Sequence, residues 1–282
     1  MGSAILSGVL ESCSRDLENG HQLKISRFIA TVNSSSSAIA LKKRFDAYAE
    51  WLDVRRENVP AMQEADIVFL AFKPYMVDLV LRQAGVQEAL TGKPIISVLV
   101  GTLPGKLEAA IVNDVLDYRA SIGKKKGNDL YIKRAMPNIA AEFRESMTVI
   151  ESTAIPRAYE DITNWIFLQL GEIQHVAPDL FDIGGVLAGA SGALLSVAFD
   201  GMLDGAVKQG LRRADAKRIL TQSLYSMAKL LENEHPAVLR EKFSSPKGTT
   251  IDGLLSLEED RARWAYSKAV IASTKRSLEI GK

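Results

Sequence analysis

A parallel α/β domain followed by an all-helical domain is the fold the sequence predicts, and three observations carry that expectation. The first half alternates short β-branched apolar runs with helix-like segments, the pattern of βαβ units in a doubly wound sheet. From Pro178 onward the β signal stops, and the chain becomes rich in Ala, Leu, Lys and Glu with helical periodicity to its end. At 282 residues, 47% hydrophobic and 24% charged, there is material for two cores, since single domains run to about 100–200 residues.

Taken in order, helical periodicity is expected over 3–17, 37–49, 75–84 and 103–116, and strands over 28–32, 67–72, 95–100, 131–135 and 147–151. The stretch 121–129, with Lys124, Lys125 and Lys126 between Gly123 and Gly127, reads as a solvated loop. The domain boundary falls near Pro178. His235-Pro236 and the run 244–250 then divide the second domain into helices.

Composition excludes several classes of function. Lys plus Arg number 35 against 34 Asp plus Glu, a formal net charge of +1, which offers no broad field to nucleic acid or anionic lipid. Cys13 stands alone, so neither an internal disulfide nor a Cys-based zinc site is available, and a reducing compartment is expected. No metal is expected. The apolar runs 67–72 and 183–197 are too short or too glycine-rich for the roughly 18 residues a membrane span needs, and no basic segment precedes an apolar one at the N-terminus. The expectation is a cytoplasmic protein without a membrane partner.

Five segments are candidates for chemistry. Met1-Gly2-Ser3-Ala4-Ile5 opens a helix with small residues that let backbone amides approach a phosphate. An ordinary buried helix would look the same. Asn33 and the serines 34–37 follow the second expected element, with Lys42, Lys43 and Arg44 beyond. Dinucleotide sites place an acid here for a ribose 2′-hydroxyl, whereas hydroxyls and cations suit a 2′-phosphate, so the missing acid favours NADPH. A serine N-cap is the equal alternative. Ala71-Phe72-Lys73-Pro74 ends a strand at the edge where open α/β sheets bind ligands, and Arg134-Ala135-Met136-Pro137-Asn138 follows another. Ser244-Ser245-Pro246-Lys247-Gly248-Thr249-Thr250-Ile251 precedes an apolar helix whose free amides suit either a carboxylate or a simple cap.

Together with Glu57-Asn58, Asp204-Gly205-Ala206-Val207 and Leu257-Glu258, these segments in this order resemble the pyrroline-5-carboxylate reductase family over essentially the whole chain. The resemblance implies an α/β Rossmann-type N-terminal domain over 1–177, its first strand missing, plus an all-α C-terminal dimerisation and substrate-binding domain over 178–282. It implies NADPH (or NADH) as cofactor, a small cyclic imine as substrate, and a homodimer or higher homo-oligomer. It places Gly2 and Ser3 at the pyrophosphate, Asn33 and Ser34 at the adenosine end, Asn58 at the adenosine ribose, and Ala71, Lys73 and Pro74 beside the nicotinamide. Ser245, Gly248 and Thr249 would hold the substrate carboxylate, with the Thr250 hydroxyl at the ring nitrogen as the catalytic group. Histidines 21, 175 and 235 are expected to be structural or exposed.

Two departures from the family pattern carry expectations of their own. The chain opens at the Met of a Gly-x-Gly-x-Met-Gly turn, so a misplaced start is expected, and a sheet without its central strand leaves ladder groups unpaired. The stretch Ala188-Gly189-Ala190-Ser191-Gly192-Ala193-Leu194 lacks two hydroxyls, a proline and an aromatic, and Lys247 replaces a frequent glycine. Beside the leading activity, reduction of 1-pyrroline-5-carboxylate to L-proline, these leave open a paralogue acting on a modified imine and a catalytically dead dimeric interaction protein.

Overall fold

The computed structural model describes residues 1–112 and 129–280; Lys124, Lys125, Lys126 and the end of the expected 103–116 helix lie outside the described residues. The first helix, α1 (Gly2–Glu18), forms because Ala4, Ile5, Val9, Leu10 and Cys13 recur at helical spacing and are all buried. It stops at Asn19 and Gly20, the latter at φ 72°, a conformation a side chain would strain.

Two short strands, β1 (Phe28–Thr31) and β2 (Leu52–Arg55), pair in parallel with Phe28 opposite Leu52. Between them lies α2 (Ser35–Arg44), and after them α3 (Asn58–Glu64). A second sheet follows the order β3 (Val68–Leu70), β4 (Pro94–Ser97), β5 (Tyr131–Met136), β6 (Ser146–Glu151), β7 (Gly171–Val176). Helices α4 (Val77–Leu81), α5 (Val86–Leu90), α6 (Pro104–Val112) and α7 (Arg157–Leu168) pack on it.

Among the described residues no ladder joins β1 to β3; the sheet divides there, and α1 spans the division. Its Ala4, Ile5, Val9 and Cys13 share one core with Ile96, Ala135, Ile150 and Phe167, while Leu10 joins Phe45, Leu52 and Val54 in another. The opposite face of the larger sheet is covered by Val77, Leu81, Leu90, Leu107 and Ile111. Burial on both faces explains why all four residues of β4 are buried.

The sequence reading needs two corrections here. Strands β5 and β6 are antiparallel, because only 137–145 connect them and a parallel crossover needs about a dozen residues or more. Strands β2 and β7 were not anticipated: Leu52-Asp53-Val54-Arg55 is short and alternately charged, and β7 is an edge strand with none of its six residues buried and Glu172 and Gln174 exposed.

The chain forms two compact units, residues 1–189 with 274–282, and residues 190–273. Five helices complete it: α8 (Phe181–Lys208), α9 (Arg213–Leu231), α10 (Pro236–Lys242), α11 (Thr249–Glu259) and α12 (Ala262–Ile280). In the first unit a buried ion cluster ties both ends of this helical array to the sheet. Arg134 on β5 donates to both Glu151 oxygens on β6 at 3.0 and 2.6 Å, lies 3.6 Å from Asp182 and stacks 4.3 Å from the Phe181 ring centroid. Ser277 of α12 donates to Asp182 at 2.6 Å.

The second unit is held differently. Arg213 pairs with Asp200 and Asp204 to fasten α8 to α9, and Arg240 and Arg263 share Glu258. Among its residues only Ala216 and Leu239 are buried, while Val197, Ile219, Tyr225, Leu255, Trp264 and Ile271 are exposed. By length and composition alone 178–208 could cross a membrane, contrary to the expectation from 183–197, because the helix runs through its glycines as far as Lys208.

Candidate functional site

The first cluster of candidate residues forms where parallel strands end and helices begin. Gly2 and Ser3 open α1, whose N-cap Met1 makes no side-chain bond to the first amides, so the helix start is free to receive an anion. A Cβ on Gly2 would stand 3.1 Å from the Ala71 Cβ and 3.9 Å from its carbonyl oxygen. Glycine thus permits a close approach between the helix start and the end of β3, and these two predicted residues come together. Lys73 and Pro74 follow: Lys73 is extended and exposed, and Pro74 starts a 3-10 turn closed by the Met76 amide on the Lys73 carbonyl at 2.9 Å. Asn58, half-buried, is the first residue of α3 at the end of β2.

Asn33 and Ser34 lie at the end of β1. Ser34 is the N-cap of α2, its Oγ accepting from the Ser37 amide at 3.1 Å and donating to the Ser37 hydroxyl at 2.9 Å. The capping role, one of two alternatives in the sequence, is therefore occupied by Ser34, while Ser35 and Ser36 carry first-turn amides that precede the first intrahelical bond. Of the three cations beyond, Arg44 turns away to Glu142 at 2.7 Å and onto Phe45.

Sequence reasoning missed Arg56. It lines a cleft of about 410 Å³ with Ser35, Ala38, Ile39, Lys42, Val54, Arg55 and Glu57, and donates to Ser35 Oγ at 3.2 Å and to the Asn33 carbonyl at 3.4 Å. In sequence, Arg55-Arg56-Glu57 is indistinguishable from a solvated charge run. Arg55 is in fact committed elsewhere: it forks onto Glu64 at 2.6 and 2.9 Å and reaches Asp53 at 2.7 Å. Those hydrogen bonds raise its own pKa and lower that of Glu64.

The segment 134–138 does not supply polar groups to a crevice as expected. The Arg134 guanidinium is buried on Glu151, and Asn138 accepts from the Ala140 amide at 2.9 Å while donating to the Ala188 carbonyl at 3.1 Å. Both side chains are structural.

In the second unit, Ser245-Pro246-Lys247-Gly248 forms a turn closed by the Gly248 amide on the Ser245 carbonyl at 2.9 Å, with Lys247 at φ 60°. A left-handed non-glycine residue carries backbone strain of about 1 kcal/mol or more. Gly248 is the N-cap of α11 and no side chain caps its first turn. Thr249 and Thr250 are its exposed first residues, so free amides and two hydroxyls collect there.

His175 Nε2 lies 3.1 Å from Asn164, His235 Nδ1 accepts from the Ala237 amide at 3.2 Å, and the exposed His21 lies 3.6 Å from Asp16. Among the described residues no group of three or more His, Cys, Asp or Glu is placed to hold a metal. Burial, with Asp16 nearby, pushes the Cys13 thiol up to about 11, which leaves it unreactive at neutral pH.

Comparison with known proteins identifies the family. Residues 178–280 match the family model described as pyrroline-5-carboxylate reductase dimerisation, and residues 1–101 match that described as NADP oxidoreductase, coenzyme F420-dependent. A pyrroline-5-carboxylate reductase of Neurospora crassa is 38% identical over 299 residues, covering 97% of this chain and 88% of that protein. One from Lophium arboricola is 34% identical over 295 residues, covering 100% and 91%. The crystal structure of a Plasmodium falciparum pyrroline carboxylate reductase with NADP bound superposes with a TM-score of 0.80 at 23% identity, over 100% of this chain and 95% of that one. With relatives this similar along its full length, the chain belongs to the pyrroline-5-carboxylate reductase family.

Proposed function

We propose that the chain reduces 1-pyrroline-5-carboxylate to L-proline with NAD(P)H, as a cytoplasmic homodimer in which 1–177 bind the cofactor and 178–282 bind substrate and partner. The observation that supports this reading is the close approach of Gly2, at the uncapped start of α1, to Ala71 after β3, in a chain 34–38% identical to named reductases over nearly its whole length.

A reduced nicotinamide, when bound, supplies the hydride for the C=N carbon. The residues of the chain orient and exclude. The Gly2 and Ser3 amides suit the pyrophosphate because they carry the positive end of the α1 dipole. Asn33, Ser34 and Asn58 suit the adenosine end, and Ala71, Lys73 and Pro74 the nicotinamide end. In the second unit the amides of Gly248 and Thr249, with Ser245, suit the substrate carboxylate, and the Thr250 hydroxyl suits the ring nitrogen. A protonated imine is already electrophilic, so no histidine or glutamate base is needed.

NADPH oxidation at 340 nm with 1-pyrroline-5-carboxylate, and L-proline identified as product, tests the reading. Thr250→Ala should lower turnover on the order of 100-fold with NADPH affinity unchanged. Reduction of six-membered or methylated imines in preference to 1-pyrroline-5-carboxylate would overturn the substrate assignment.

A further inference from the structure

The cleft at the ends of β1 and β2 has an uneven charge balance. Four charged side chains line it: Lys42, Arg55, Arg56 and Glu57. Arg55 is neutralised by Asp53 and Glu64. Glu57 turns one carboxylate oxygen to the Arg56 amide at 3.3 Å. Lys42 and Arg56 form no ion pair among the described residues, and both are exposed. Arg56 is nevertheless held in place, because Ser35 Oγ and the Asn33 carbonyl each accept from its guanidinium and aim it across the start of α2. An ordered guanidinium that lacks a carboxylate, beside a hydroxyl and a second cation, is the donor set for a phosphate monoester.

The end of β1 carries Asn33 where a ribose-binding acid would stand, so nothing there repels such a group. Resting on the cofactor reading above, we propose that Arg56, assisted by Lys42 and Ser35, binds the 2′-phosphate of NADPH and makes this chain select NADPH over NADH. The cation comes from the end of β2, not from the loop that follows β1. Glu57 opposes it: as the one acid in the lining, it lowers the phosphate affinity that Arg56 and Lys42 create.

Binding, independent of turnover, tests the assignment. Titration calorimetry on the full chain would compare NADPH with NADH, and adenosine 2′,5′-bisphosphate with adenosine 5′-monophosphate. Arg56→Ala should weaken NADPH and the bisphosphate about tenfold to a hundredfold and leave NADH and the monophosphate within about threefold. Arg56→Lys should recover part of the loss. Glu57→Gln should move the ratio the other way, tightening NADPH relative to NADH, which a merely structural role for this loop would not produce. Equal affinity for NADPH and NADH in the unmodified chain, or an Arg56→Ala chain that keeps its NADPH preference, overturns the proposal while the reductase reading stands. A preference for NADH that Glu57→Gln abolishes would likewise overturn it and assign Glu57 to the ribose 2′-hydroxyl. Binding of neither dinucleotide would remove the cofactor reading itself.

Discussion

The two units of this chain solve the problem of stability in opposite ways. The first buries apolar residues on both faces of a sheet and holds a guanidinium on the Glu151 carboxylate within the interior. In the second, only two residues are buried, and large apolar side chains face outward from all five of its helices. An 84-residue segment with so little interior cannot offset its conformational entropy alone. Exposed apolar surface of this extent marks an association face, and the dimerisation match over 178–280 agrees: the first unit carries its own core, whereas the second presents the surface of an association domain.

The largest expected effect attacks that difference directly. Placing charges on the exposed apolar helices, as in Ile219→Asp with Ile271→Asp, should convert the assembly to monomers and lower the melting temperature, which in the parent should itself rise with protein concentration. Light scattering coupled to size exclusion reads the first result and scanning calorimetry the second. A concentration-independent melt in a monomeric parent would break the comparison.

Within the first unit the next effect is the buried cluster. Glu151→Ala leaves Arg134 as an uncompensated charge with both side chains only 3% exposed, and removal of one partner of such a pair costs about 3–5 kcal/mol. Urea unfolding followed by circular dichroism would measure it; a loss under about 1 kcal/mol would mean that Asp182, 3.6 Å away, takes over. Smaller again is Gly8→Ala. The new methyl would collide with the Ala141 carbonyl oxygen and Leu170, so α1 must shift from the turn beneath it. Overpacking of this kind costs about 1–3 kcal/mol, and because the same helix carries Gly2, cofactor affinity should fall with stability.

How much of this was legible in the sequence follows the same division. Strands buried on both faces, such as Ile95-Ile96 and Val149-Ile150, announced themselves as apolar runs, and the helix of 181–208 by its composition. Strands β2 and β7 did not, since alternate residues there are polar and the pairing partner supplies what local pattern lacks. The candidate site residues came from the family resemblance, and the structure adds a physical reason for glycine at two of them: the approach of Gly2 to Ala71 and the crowding of Gly248 by Ser245. Arg56 was hidden, because its role depends on which neighbouring charges are already paired. Arg134 was misassigned for the reverse reason, its partner Glu151 lying 17 residues away on an antiparallel strand.

The smallest expected effect sharpens the point that burial, not geometry, sets the worth of an ion pair. Arg55 and Glu64 form a fork as good as that of Arg134 and Glu151, with bonds of 2.6 and 2.9 Å, yet the Glu64 side chain is 43% exposed. Exposed pairs contribute little and are screened by salt. The hydrogen bonds from Arg55, then its charge and that of Arg27, hold the Glu64 carboxyl below its ordinary range. A depressed carboxyl contributes stability above its unfolded pKa, about 4.3, and loses it as pH falls through the lower folded value. Melting curves of Glu64→Gln and the parent should therefore differ slightly at pH 7, less at high salt, and converge below pH 4. A Glu64→Gln chain destabilised as severely as Glu151→Ala would show that fork geometry outweighs burial in this sheet.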